Sequence, residues 1–121
     1  MRVWIYTRLS NDDDPERDSL QNQERICREF AAQRGDQIVG QSADDNISGM
    51  NFSRRGLSRL TAAVEAGGLD GVVVKDLSRL GRHRTQTALF IDYLRERGVR
   101  VLSATERLDT FREEDDLIIG V

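Results

Sequence analysis

MRVWIYTRLS, Met1 to Ser10, is the stretch whose reading decides the fold. Val3 and Ile5 alternate with Arg2, Trp4 and Tyr6, and β-forming residues dominate. That pattern predicts a strand over residues 2–7 with at least one buried face. The aspartate-rich stretch beyond Ser10 cannot prolong it. A phenol, a guanidinium and a hydroxyl (Tyr6, Arg8 and Ser10) therefore stand at the C-terminal end of a first strand. They share parity, so an extended chain points all three to one side. Open α/β sheets gather their ligands along that edge. Alone, the triplet reads more simply as a strand ending in ordinary polar loop residues, because short patterns match often by chance. The rest of the chain changes that balance.

Outward from this strand, residues 11–18 form a loop that holds Pro15, the only proline. Asp18 followed by Gln21 has the spacing of a capping box and predicts a helix from Ser19 to about Arg34, closed by Gly35. Its apolar stripe is Leu20, Ile26 or Cys27, Phe30 and Ala31, which makes Cys27 a core residue rather than a reactive thiol. Gln37 to Ala43 reads as a second strand that runs into a turn-rich stretch, Asp44 to Gly49. A second helix is expected near Arg55 to Ala66, with Leu57, Leu60, Ala63 and Val64 at helical period and Gly67-Gly68 as its stop. Gly71 to Val74 is a continuous apolar run, the signature of a strand buried on both faces. It empties into KDLSRLGRHR, Lys75 to Arg84. A third helix is expected near Thr85 to Arg97, with Ala88, Leu89, Ile91 and Leu94 inward and Gly98 as cap, then a fourth strand, Val99 to Ser103. The order β-α-β-α-β-α-β, with connections of helical length, calls for a parallel sheet with right-handed crossovers. The tail, Thr105 to Val121, is acidic and then apolar (Leu117, Ile118, Ile119) and looks like the start of an element left incomplete. The 121 residues thus read as one domain trimmed from a longer protein.

Composition narrows the function classes. With 38% hydrophobic and 32% charged residues the chain is a polar globule with one core, and no apolar run is long enough to span a membrane. No apolar leader follows Met1, and one cysteine excludes an intrachain disulfide, so a reducing, cytoplasmic setting is expected. One cysteine and one histidine, His83, cannot build the usual structural zinc site; composition alone leaves a carboxylate-bound Mg²⁺ open. The net charge of −3 argues mildly against a nucleic-acid binder. Its distribution argues otherwise. Residues 12–18 carry −4, residues 106–116 carry −4, and residues 75–84 carry +3. A basic segment inside an acidic chain suits a focused anion site better than a broad basic face.

Three strand ends present polar groups on one edge. These are Arg8 and Ser10 after the first, Asp45 and Ser48 after the second, and Ser78, Arg79 and Arg82 after the third; Arg54 opens the second helix region. Arg8, Arg54, Arg79 and Arg82 can converge if those edges are adjacent. Clustered arginines are costly without an anion, and their planar forks match phosphate oxygens. The same residues also fit surface salt bridges with acids such as Asp76 or Asp45. Ser10 is the candidate nucleophile. A serine hydroxyl needs activation. One histidine and no G-x-S-x-G elbow leave little room for a triad, so activation falls to guanidinium groups. That favours phosphoryl over acyl transfer. His83 reads as a solvated loop residue, and the acidic loop 12–18 as a solvated flap pointing away from the anion site.

With those residues placed, the chain resembles the catalytic domain of the serine recombinases (resolvases, invertases, large serine integrases and transposases). The resemblance covers nearly all of residues 1–121. It rests on Tyr6-x-Arg8-x-Ser10, Ser19-Leu20-x-x-Gln23, Asp45-x-x-Ser48-Gly49, Arg54 with Gly56-Leu57, and Ser78-Arg79-Leu80-Gly81-Arg82. Each piece is weak; five in order are strong. The resemblance implies that Ser10 forms a 5′-phosphoserine link with DNA and that Arg8, Arg79 and Arg82 bind and activate the scissile phosphate. Arg54 resembles a further phosphate-site arginine, and Tyr6, Gln23, Asp45 and Ser48 match supporting positions. Asn11-Asp12-Asp13-Asp14 departs from small resolvases, as does Ser78, which stands where they carry an aspartate. The KDLSRLGR form and the late Glu114-Asp115-Asp116 look like those of the large members.

The resemblance implies a three-layer α/β/α domain around a mainly parallel sheet of four or five strands. Its order is 2-1-3-4, to which a fifth, antiparallel strand can be added. It also implies an enzyme for site-specific recombination that uses no metal or cofactor. Its partners are double-stranded DNA and further copies of the same protein, in dimers and tetramers, with no membrane; the isolated fragment need not be active. A long dimerising helix and DNA-binding domains are expected beyond the catalytic domain. Two rivals remain. One is a receiver-like phosphoacceptor domain, with Asp76 as acceptor and Asp12-Asp13 as a metal-binding pair. The other is a non-catalytic binding or assembly module with a degenerate site.

Overall fold

The parallel strands are joined by helix-bearing crossovers, so the chain lays their C-terminal ends along one edge. The structure, a computed structural model, describes residues 1–46 and 54–112. Ser48, Glu114-Asp115-Asp116 and the apolar Leu117–Ile119 lie outside the described residues. Strand β1 is Arg2–Leu9, helix α1 Leu20–Arg34, β2 Gln37–Asp45, α2 Arg55–Ala66 and β3 Gly71–Val74. A 3-10 turn, Leu77–Leu80, precedes α3, Arg84–Glu96; β4 is Arg100–Ser103 and β5 Leu108–Asp109. The sheet order is β2-β1-β3-β4-β5, parallel except for β5, which pairs antiparallel with β4. The expected three-layer architecture and strand order hold, fifth strand included.

The two faces of β1 explain the layers. Val3 and Ile5 pack with Cys27 and Ala31 of α1, while Tyr6 packs with Leu60, Val64, Ile91 and Leu94 of α2 and α3. β3 divides in the same way: Val73 faces the α1 side, and Val72 and Val74 the other. Its four residues are all buried, as a continuous apolar run requires. Burial pushes the Cys27 thiol up to about 12, so it behaves as a core side chain.

Several expectations shift. β1 runs to Leu9, two residues past its expected end. The cap of α1 is Ser19, whose hydroxyl accepts from Asn22 N at 3.1 Å, and not Asp18. Asp18 turns inward instead and is 4% exposed. At the other end, Gly35 takes φ 76°, the left-handed cap that glycine adopts without a Cβ penalty. β2 runs two residues further than expected, to Asp45, because Arg8 and Leu9 of β1 continue to pair with Asp44 and Asp45. Leu89, assigned inward, is 64% exposed; Ile91 and Leu94 fill the core, and Phe90 stacks on Tyr93 at 5.6 Å. Among the described residues no helix is long and apolar enough to cross a membrane.

Candidate active site

The C-terminal ends of β1, β2 and β3 meet at one edge, and two side-chain networks fill it. The first is a corner built on Asp44. This carboxylate is 2% exposed and accepts from Tyr6 Oη at 2.7 Å, Gly56 N at 2.8 Å and Leu57 N at 3.0 Å. It thereby satisfies two first-turn amides of α2 that have no partner within the helix. A Cβ on Gly56 would lie 2.6 Å from the Ala43 carbonyl oxygen, so only glycine lets α2 come this close to β2. Ser42 adds a second tie, donating to the Gly56 carbonyl at 2.7 Å and accepting from Trp4 Nε1 at 3.0 Å. Burial, then the bond to Asp44, raises the Tyr6 phenol far above its usual range, so Tyr6 is a fixed donor and not an acid for chemistry.

The second network is charged. Arg8 donates Nε to the Arg79 carbonyl at 3.1 Å and Nη2 to the carbonyls of Ser78 and Gly81. Arg79 returns Nη1 to the Arg8 carbonyl at 2.9 Å. The two arginines thus fasten the 3-10 turn to the end of β1. Gln23, fully buried, donates to the Arg8 and Asp18 carbonyls at 2.9 and 2.7 Å and ties α1 to the same point. Arg79 is ringed by carboxylates: Asp13 at 2.6 Å, Asp76 at 3.2 Å and Asp18 at 3.8 Å. Lys75 pairs with Asp18. Asp76 also accepts from Ser78 N and Oγ.

Ser10 enters this network through Asp13. Its amide and hydroxyl donate to Asp13 Oδ2 at 2.8 and 3.2 Å, the same oxygen that meets Arg79. Hydroxyl and guanidinium therefore lie within two hydrogen-bond lengths of each other. Burial raises the Asp13 carboxyl, but the bonds from Arg79 and Ser10 outweigh it and hold it below the usual range. The Lys75 bond does the same for Asp18. Burial lowers the Arg79 guanidinium, yet Asp13 and Asp76 raise it further, so it stays charged.

Arg8, Arg54, Arg79 and Arg82 all line one cavity of about 400 Å³, together with Tyr6 and Asp44. The four arginines expected to converge all line it, whereas Ser10 is not among the lining residues and joins the site through the Asp13 oxygen that it shares with Arg79. Gln23 supports from below, and Arg82 is exposed at the mouth. The salt-bridge alternative holds for Arg79 and Asp76, but inside the site and not on the surface. Asp45 does not hold its expected place: it is exposed, does not line the cavity, and Asp44 is the carboxylate that reaches Tyr6. Burial at Ser42, Asp44 and Asn46 follows a period of two, which would have told the neighbours apart. The loop 12–18 does not point away: Asp13 and Asp18 are drawn in because the basic turn after β3 needs counter-ions. His83 is exposed and caps α3, accepting from Gln86 N at 3.4 Å. The receiver-like arrangement is not formed, since Asp13 and Asp76 are both committed to Arg79.

A family model, the resolvase N-terminal domain, matches residues 3–121. The chain belongs to that family. Among proteins of known function, the resolvase-type chain is 37% identical to the serine recombinase gin of Escherichia phage Mu over 67 residues, 55% of this chain and 34% of that protein. It thus matches about a third of the length of such curated relatives. The solved N-terminal catalytic domain of TP901-1 integrase superposes with a TM-score of 0.82 at 26% identity, over 99% of this chain and 89% of that one. The C-terminal catalytic domain of ISC1926 TnpA, an IS607-like serine recombinase, gives a TM-score of 0.72 at 28% identity, over 86% and 70% of the two chains.

Proposed function

We propose that this resolvase-family domain is the strand-cutting unit of a site-specific DNA recombinase, with Ser10 as nucleophile. One observation carries the reading: Arg8, Arg54, Arg79 and Arg82, from separate parts of the chain, line a single cavity, and Arg79 shares the Asp13 Oδ2 oxygen with the Ser10 hydroxyl. The relatives named above add support, two of them being serine recombinases by description.

Ser10 Oγ attacks the phosphorus of a DNA phosphodiester, forms a P–Oγ bond and gives up its proton. The bond to the 3′ oxygen breaks, and that oxygen leaves as a 3′-hydroxyl after gaining a proton. Arg79 and Arg8, fixed by the 3-10 turn, stand where the negative charge on the phosphoryl oxygens grows; Arg82 and Arg54 approach from the cavity wall. Such preorganised donors stabilise the transition state without reorganising. The phosphoserine ester keeps the energy of the broken bond, so a 3′-hydroxyl from another strand reverses the attack and reseals DNA with no nucleotide consumed. In a whole recombinase the domain would act on double-stranded DNA as one member of a dimer and then of a tetramer. The dimerising helix and DNA-binding domains would lie outside this domain. A cytoplasmic location follows from the substrate.

The test is covalent capture. A full-length protein carrying this domain, mixed with its DNA site and run on a denaturing gel, gives a protein–DNA adduct; Ser10→Ala abolishes it. An adduct that survives the substitution removes Ser10 from the mechanism.

A further inference from the structure

Asp13 Oδ2 alone accepts the Ser10 amide, the Ser10 hydroxyl and Arg79 Nη1. Those are the groups that a scissile phosphate must meet if the function proposed above is right, and the inference rests on that reading. We propose that Asp13 is a built-in stand-in for the phosphate: its carboxylate holds Ser10 and Arg79 together at rest and must be displaced when DNA enters.

The ion count around Arg79 supports this. Its side chain is 4% exposed and already faces Asp13, Asp76 and Asp18. A phosphodiester adds a further negative charge at contact distance, and like charges so close in a partly desolvated site oppose each other strongly. One carboxylate has to give way. Asp18 is buried, paired with Lys75 and bonded to the Asp14 amide at 3.1 Å, so it is built into the fold. Asp76 caps the 3-10 turn through Ser78. Asp13 differs from both. It lies in the turns between β1 and α1, and the side-chain bonds seen for it run to Ser10 and Arg79, which a phosphate oxygen could take over one for one. The bidentate fork of arginine serves a carboxylate and a phosphate alike. A second observation also points to an unfinished site: Arg79 Nε is buried without a hydrogen-bond partner. A native donor in that state calls for an explanation, and a resting state completed only by ligand supplies one. The lowered Asp13 carboxyl keeps the stand-in ionised at neutral pH.

Inorganic phosphate is the probe, titrated calorimetrically into the unmodified chain and into Asp13→Asn, Asp13→Ala and Glu16→Gln. Glu16 is exposed in the same loop and controls for net charge. Both Asp13 variants should bind phosphate about tenfold more tightly, a change of about 1.4 kcal/mol, while Glu16→Gln stays within about twofold of the unmodified chain. Adding Arg79→Gln to Asp13→Asn should erase the gain. Thermal melts identify any variant that has lost its fold, and the second Asp13 substitution then carries the test. Phosphate binding through Arg79 that Asp13 substitution leaves unchanged or weakens overturns the stand-in alone. Absence of phosphate binding in every variant overturns the phosphate site with it. In a full-length recombinase, Asp13→Asn should speed adduct formation. A slower adduct would make Asp13 the acceptor of the Ser10 proton and overturn the stand-in.

Discussion

Tyr6 and Arg8 stand two residues apart on β1, yet the corners they enter are built in opposite ways. Around Tyr6 one carboxylate, Asp44, accepts from the phenol and from two backbone amides. At the other corner Arg8 bonds the carbonyls of the 3-10 turn and Arg79 meets carboxylates carried by a loop and by that turn. Removing a partner from the first corner leaves a buried group unmet. Removing Asp13 from the second leaves a hydroxyl and a guanidinium that an incoming anion can serve. The first corner holds α2 to the sheet; the second is where the chemistry is proposed. Burial alone does not separate them, since Asp44 and Arg79 are both nearly inaccessible. The separation lies in whether the contacts can be exchanged for those of a ligand.

The largest expected effect that would break this contrast is Asp44→Ala. It strands the Tyr6 hydroxyl and the Gly56 and Leu57 amides, and should cost about 2–4 kcal/mol in urea denaturation, at about 1–3 kcal/mol for each unmet buried group less what water recovers. A loss no larger than that of an exposed aspartate would show the corner to be soft. The acid arm of stability reports the other corner. Asp13 and Asp18 are held below the ordinary carboxylate value, so their contribution is present above about pH 3.9 and is lost as pH falls through their lower folded values. Asp18→Asn should therefore lower stability at pH 7 and make the acid limb shallower, with parent and variant converging at low pH. The alkaline arm reports the first corner again. The Tyr6 phenol is raised, so its contribution is intact below about pH 10 and is lost above it, as the unfolded chain ionises first. Tyr6→Phe should remove that alkaline slope at a cost near neutrality of about 1 kcal/mol. Smallest of all, Leu89→Ser should change stability by less than about 0.5 kcal/mol, because the side chain is already 64% exposed.

Much of the site was legible because its residues sit at strand ends, where periodicity stops and polarity begins. Arg8, Arg79, Arg82 and Arg54 could be proposed as one cluster from topology alone, and the cavity bears that grouping out. Asp13 is not legible as a site residue, because a run of acids reads as solvated until the position of a basic turn is known. Asp44 and Asp45 are not told apart by sequence, because a strand that reads as ending at Ala43 gives no parity beyond it. Ser19 rather than Asp18 caps α1 for a related reason: both residue types cap helices, and only the position of Lys75 decides which one turns inward.

By itself the sequence determined the alternation of strands and helices, the buried run of β3 and the inward Val3 and Ile5 of β1, and the edge on which polar groups collect. These are local properties, set by side-chain period and by the residues that start and stop each element. The tertiary structure alone decided which of several equivalent acids faces which base. Pairing of charges depends on distances across the fold, from Asp13 and Asp18 to Arg79 and Lys75, and Coulomb energy at short range in a dry interior selects partners that no local pattern encodes.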